Sequence, residues 1–232
     1  MSKAIFITGT GTDIGKTYIS ALIVKKLAQA GKNPAYYKAA MSGNDRCQDG
    51  SLIPGDALSV QRMSKIKQPL DEMCPYVYEN AWSPHLASRV EGNPVDMDTV
   101  RKGFLNVSGK YDYITMEGSG GILCPLCFDE RRILLGDIIN EPRLSCILVA
   151  DAGLGTINSV VLTYEYMRAH SLRIKGIIFN HYHPGNIMEE DNIFMCEYLT
   201  GLTTLAKVQD KDVELDMDVD ALAEIYEEVK IK

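Results

Sequence analysis

The chain has 232 residues, 46% hydrophobic and 24% charged, the balance of a globular protein with enough length for one α/β core. Its net charge of −7 at pH 7 argues against broad binding to nucleic acid or to a membrane surface. No apolar run approaches a membrane span, and the run after Lys3 is too short for a secretion signal. Six cysteines at this size do not form a disulfide framework, so a reduced, cytoplasmic setting is expected.

Residues 4–8 form a short β-like run. Gly9-Thr10-Gly11-Thr12-Asp13-Ile14-Gly15-Lys16-Thr17 follows, and residues 16–30 then read as a helix, with Leu22, Ile23, Leu27 and Ala30 at helical spacing and Gly31 as its stop. A strand, a glycine-rich loop and a helix opening on Lys-Thr make a phosphate cradle, because the N–H groups of the first turn have no intrahelical partner and the helix dipole favours an anion there. Lys16 would reach the outer phosphates and Thr17 would offer its hydroxyl to magnesium. The spacing is unusual: Thr10 stands where the common motif has its first glycine. A plain glycine-rich turn with an incidental Lys-Thr is the alternative.

Further along, residues 34–37 read as a strand delivering Lys38, residues 42–55 as a mobile polar loop, and a short helix runs from Asp56 to about residue 63. A proline-rich stretch, 65–96, holds one short strand (76–78) and one helix (84–90). Helix 98–107 leads to strand 111–116 and Glu117-Gly118-Ser119-Gly120-Gly121. Strand 145–150, helix 157–169, strand 174–179 ending at Asn180, helix 192–199, strand 204–208 and a final helix 220–229 complete the chain. Strands alternating with helices, several continuously apolar, predict an α/β fold: a single-domain parallel sheet covered by helices on both faces, P-loop NTPase-like, over residues 1–232.

In such sheets ligands gather beyond the carboxyl ends of the strands. That rule places the phosphate loop, Lys38, Glu117 and Asn180 along one rim. Glu117 is positioned as a magnesium ligand beside Thr17, or as a solvated strand-end acid. Asp56 is a third oxygen ligand or a helix N-cap. Lys38 is an anion contact or a snorkelling surface lysine, and Asn180 reads a base edge or closes a turn.

With these residues assembled, the chain resembles the dethiobiotin synthetase family. Gly9 to Thr17 fit its Gly-Thr-x-Thr-x-x-Gly-Lys-Thr pattern, odd spacing included. Tyr37-Lys38-Ala39-Ala40-Met41-Ser42-Gly43 is similar to its Tyr-Lys-Pro-x-x-Ser-Gly segment. Asp56-Ala57-Leu58, Ser83-Pro84-His85-Leu86-Ala87 with Glu91-Gly92, Glu117 to Gly121, and Leu154-Gly155-Thr156-Ile157-Asn158 match further family segments. The likeness runs from residue 1 to about 209.

The resemblance implies an ATP-dependent cyclo-ligase that joins CO2 to 7,8-diaminononanoate through a phosphorylated carbamate. Lys38, Lys16 and Thr12 would take the catalytic roles. ATP would be held by Asp13, Ile14, Gly15, Lys16, Thr17, Tyr18, Asp56, Glu117, Gly118, Ser119, Gly120 and Asn180. Magnesium would sit on Thr17, Asp56 and Glu117. Thr12, Lys38 and Ser42 would hold the substrate, with Thr156, Ile157 and Asn158 reaching its carboxylate across a homodimer interface. Three departures touch this picture: Gly11 in place of a frequent Asp, Ala39 in place of Pro, and Leu205-Ala206-Lys207-Val208-Gln209 where the family tends to Leu-Gly-x-x-Pro, which bears on the base pocket.

Two other functions share the loop: an amidotransferase-type synthetase, which lacks support without a glutaminase domain, and an ATP-switched regulator of the partitioning type. The second usually carries a lysine early in the loop, and no lysine stands between Lys3 and Lys16. Cys124-x-x-Cys127 reads as two thiols near the rim rather than half a zinc site. Asp216, Asp218, Asp220 and Glu227 have calcium-loop spacing, but Ala221 replaces the glycine that loop requires. His181 and His183 read as loop histidines, and the acids of 210–220 as a charged surface segment.

Overall fold

Strand and helix alternate through almost the whole of a computed structural model that describes residues 2–229. The elements are β1 (Lys3–Gly9), α1 (Lys16–Gln29), β2 (Pro34–Lys38), β3 (Ala40–Met41), α2 (Gly55–Ser64), α3 (Leu70–Met73), β4 (Tyr76–Val77), α4 (Pro84–Val90), α5 (Met97–Ser108), β5 (Tyr113–Glu117), β6 (Pro125–Phe128), β7 (Arg132–Leu134), α6 (Leu135–Asn140), β8 (Cys146–Asp151), α7 (Thr156–Ala169), β9 (Ile174–Asn180), α8 (Ile187–Thr200), β10 (Thr204–Lys207), α9 (Val219–Glu224) and β11 (Glu227–Glu228). The main sheet runs β10-β9-β8-β1-β5-β2, all parallel, with β11 antiparallel beside the start of β1.

Side chains alternate across β1 and separate the core into two layers. Ala4 and Phe6 pack with Tyr37, Phe104, Met116 and Ile138 on one face; Ile5 and Ile7 pack with Ile19, Leu22 and Ile23 of α1 on the other. Each fully buried Ile, Leu or Phe contributes about 1.5–3 kcal/mol, so both faces hold the strands in the predicted parallel arrangement. No helix among the described residues is long and apolar enough to cross a membrane.

The differences from the sequence reading have local causes. The segment expected to be a mobile loop is tied down: Asn44 donates to the Met41 and Tyr78 carbonyls and accepts from the Gly55 N–H, and Arg46 bridges to Leu52 and pairs with Glu79. Helix α8 begins at Ile187, five residues before expectation, because the Asn186 side chain caps the Met188 and Glu189 N–H groups. The final helix stops at Glu224. Tyr226 turns inward, its hydroxyl bonded to Thr115 Oγ1 at 2.6 Å and its ring edge-on to Tyr113, and the chain continues as β11.

Candidate active site

The rim at the carboxyl end of the sheet is where the predicted residues meet. β1 ends at Gly9, and the chain loops to Gly15, whose φ of 87° caps the start of α1. Glycine is needed there twice over, since the backbone is left-handed and a Cβ would run into the Asn180 side-chain amide. Asn180 itself, 2% exposed, donates from Nδ2 to the Ile14 carbonyl at 3.1 Å. Asn180 thus lies against the phosphate loop, one N–H of its amide given to the loop backbone. Lys16 folds back to the Gly11 carbonyl at 2.6 Å.

Lys38 and Glu117 end neighbouring strands and lie directly opposite in the β2–β5 register. Lys38 Nζ stands 2.7 Å from Glu117 Oε1 and 2.6 Å from Asp56 Oδ2. Asp56 reaches it from the first turn of α2, a helix capped by Pro54 without a side-chain bond, so Asp56 is not the cap. Thr17 Oγ1 donates to the same Glu117 Oε1 at 2.9 Å. Lys38 is 5% and Glu117 1% exposed; neither is a solvated surface group. Two carboxylate oxygens therefore flank one ammonium, and the Thr17 hydroxyl joins them through Glu117; hard oxygen donors of this kind suit Mg2+.

Electrostatics follow from this crowding. Burial opposes the charge on Lys38, but Glu117 and Asp56 outweigh it and raise its pKa above the ordinary lysine value. Lys16 goes the other way: burial lowers its pKa, Glu117 pulls against that, and the like charge of Lys38 adds to the lowering.

An open cleft of about 950 Å³ covers the site, lined among others by Thr12, Asp13, Gly15, Lys16, Thr17, Tyr18, Lys38, Ser42, Asp56, Glu117, Ser119 and Gly120. Ser42 Oγ donates to the Trp82 carbonyl and Ser119 Oγ to that of Ala40, both at 2.6 Å. Gly118 lies behind the cleft, where a Cβ would strike Leu135 and Phe6. Ile14 is not among the cleft residues. Thr156, Ile157 and Asn158 open α7 and do not line this cleft either.

Tyr36 and Trp82, which sequence reasoning passed over, also belong here, with Cys124 and Glu91, to which it gave no role in the site. The buried Tyr36 hydroxyl donates to Glu117 Oε2 at 3.0 Å. Trp82 and Cys124 line the cleft, and Glu91 accepts three hydrogen bonds from Glu79 and Asn80 to hold the turn before Trp82. The period-two rule placed Tyr36 on the same face as Lys38 and could have found it. Among the described residues no group of three or more His, Cys, Asp and Glu gathers to hold a metal, and all six cysteines are free.

A parallel sheet feeding a lysine–threonine phosphate loop into a helix defines a P-loop NTPase. The fold is shared with MinD in the MinC:MinD cell division complex of Aquifex aeolicus (TM-score 0.57, 16% identity, covering 90% of this chain and 82% of that one) and with a ParA family ATPase of Chlorobium tepidum (TM-score 0.53, 14% identity, 97% and 89%). A family model described as an AAA domain matches residues 3–214. The ATP-dependent dethiobiotin synthetase of Brachyspira hyodysenteriae is 46% identical over 93% of this chain and 96% of its own length; that of Clostridium botulinum strain Langeland is 44% identical over 99% and 100%. The chain belongs to the dethiobiotin synthetase family.

Proposed function

We propose that the protein is an ATP-dependent cyclo-ligase that converts 7,8-diaminononanoate, CO2 and ATP to dethiobiotin, ADP and phosphate. One amine adds through its lone pair to the carbon of CO2 and loses a proton, giving a carbamate. A carbamate oxygen attacks the γ-phosphorus, and the bond to the β–γ bridging oxygen breaks to release ADP. The second amine then attacks the carbamate carbon. The carbon–oxygen bond to phosphate breaks, a proton is lost, and a five-membered cyclic urea remains.

The chemical difficulty is to bring two anions, carbamate and γ-phosphate, into contact. The single observation that carries the reading is the Lys38 ammonium, held between Asp56 and Glu117 in the same cleft as Lys16 and the phosphate loop. Lys38 and Lys16 supply fixed positive charge at the reacting groups. Thr12 and Ser42, on the cleft wall, orient carbamate and diamine. Thr17, Asp56 and Glu117 would hold Mg2+, which when bound neutralises charge on the outer phosphates. Asn180, which also donates to the loop backbone, would read the adenine edge, and Ser119 and Gly120 shape the cleft wall with Gly118 behind them.

A homodimer completes the reading. Leu154, Leu162, Ile187, Phe194 and Tyr198 are all more than half exposed along α7, α8 and the turns before them, an apolar face suited to a second copy. Thr156–Asn158, at the α7 N-terminus beside this face, would meet the substrate carboxylate from the partner. A single domain in a reduced cytoplasm, acting without nucleic acid or membrane, fits the net charge and the free thiols. The test is phosphate release from MgATP with and without diaminononanoate and bicarbonate. Dependence on both, with a product of dethiobiotin mass, is expected; release that ignores the diamine would refute the assignment.

A further inference from the structure

The Glu117 carboxylate is enclosed in protein, and its two oxygens have different duties. Oε1 accepts from Lys38 and Thr17 and faces the cleft. Oε2 points into the core, where its donor is the Tyr36 hydroxyl at 3.0 Å. The Tyr36 ring packs among Ala21, Val24, Met41 and Val60, and the hydroxyl is fully buried against its hydrogen-bond partner Glu117. Tyr36 is anchored in turn. Its N–H donates to Gln68 Oε1 at 2.8 Å and its carbonyl accepts from Gln68 Nε2 at 2.9 Å. Gln68 is 1% exposed, and its own carbonyl accepts from Gln61 at 2.8 Å. One side-chain amide thereby reproduces the pairing of a further strand on the free edge of β2.

We infer that Tyr36 is a positioning residue for Glu117: its phenol fixes Oε2 so that Oε1 is presented to the cleft in one orientation, and Gln68 fixes Tyr36. The inference rests on the reading of Glu117 as a carboxylate that serves the nucleotide's metal. A terminal carboxylate torsion is broad and intrinsically soft, so the aim of Oε1 must come from such a partner.

The test uses Mn2+ as the metal probe, with free Mn2+ followed by electron paramagnetic resonance in the presence of ADP. Tyr36→Phe keeps the ring and removes the donor. It is expected to weaken Mn2+ binding about tenfold, the lower end of what partners of metal-ligating groups contribute, while metal-free ADP binding changes less than about twofold. In a Glu117→Gln background the same substitution is expected to change Mn2+ affinity less than about twofold, because coupled residues are not additive. Unaltered Mn2+ affinity in Tyr36→Phe, or full additivity with Glu117→Gln, would overturn the inference. Glu117→Gln with undiminished Mn2+ affinity would overturn the reading of Glu117 and the inference with it. Gln68→Ala is a second route to the same answer if Tyr36→Phe does not fold: it frees the Tyr36 backbone and should weaken Mn2+ binding in the same direction, again only where Glu117 is present.

Discussion

Replacing Lys38 by Met removes a charge while keeping a similar chain. In the native site the ammonium stands 2.6 and 2.7 Å from two carboxylates. At an effective dielectric of about 20 each pair gains roughly 6 kcal/mol of attraction before desolvation, which explains why the charge survives burial. Stranding a buried partner costs about 3–5 kcal/mol. Here the lower end is expected, about 3 kcal/mol, because Asp56 is partly solvated and Glu117 keeps its bonds from Thr17 and Tyr36. Because the pKa of Lys38 is raised in the folded state, its stabilisation is fully present below the unfolded value near 10.5 and fades only as pH rises through the higher folded value. The stability gap between wild type and Lys38→Met, read from urea unfolding, should therefore be flat from about pH 6 to 9. On turnover, loss of a cation from the transferring phosphoryl group should lower kcat by about 10²–10³, with ADP affinity by calorimetry changed far less. A kcat within about threefold of wild type, or losses of turnover and nucleotide affinity in equal proportion, would refute the role given to Lys38.

Gly15→Ala should cost about 1–3 kcal/mol of strain at a left-handed position and weaken ADP binding about tenfold or more by calorimetry, since the new Cβ meets the Asn180 amide that braces the loop. Tyr226→Phe strands the buried Thr115 hydroxyl, so the urea midpoint should fall by the equivalent of about 1–3 kcal/mol while kcat holds. The pKa of His183 is raised by its hydrogen bond and charge contact with Glu189. Its contribution is present below about pH 6.5 and lost as pH rises through the higher folded value; an NMR titration should give a midpoint above 6.5, returning downward in Glu189→Gln. Phe194→Glu, at the exposed stacked pair with Tyr198, should yield monomers in sedimentation if that face joins two copies.

The phosphate loop was legible because its chemistry is local: glycines, Lys16, Thr17, a strand before and a helix after. The parallel sheet was legible because β1, β8 and β9 each carry an uninterrupted apolar run, residues 4–7, 146–150 and 177–179. Lys38 and Asp56 stood as ambiguous residues until the fold set Lys38 between Asp56 and Glu117, pairings across 18 and 79 residues. β11 was missed for the same kind of reason. Glu227 and Glu228 have no strand preference of their own and pair with Lys3 and Ala4 at the other end of the chain. The β6–β7 hairpin is too short to announce itself between Cys124 and Leu135. Gln68 shows no motif at all, and strand alternation sets Tyr36 beside Lys38 without naming its partner; the hydrogen bonds of both arise only in the assembled core.

The amide on the outer side of β2 also covers part of the sheet's border. An unpaired outermost strand invites neighbouring molecules to stack onto it, and here that strand ends on the buried Lys38. By pairing with the Tyr36 backbone, the Gln68 side chain leaves one fewer bare N–H and C=O on this border for another chain to use.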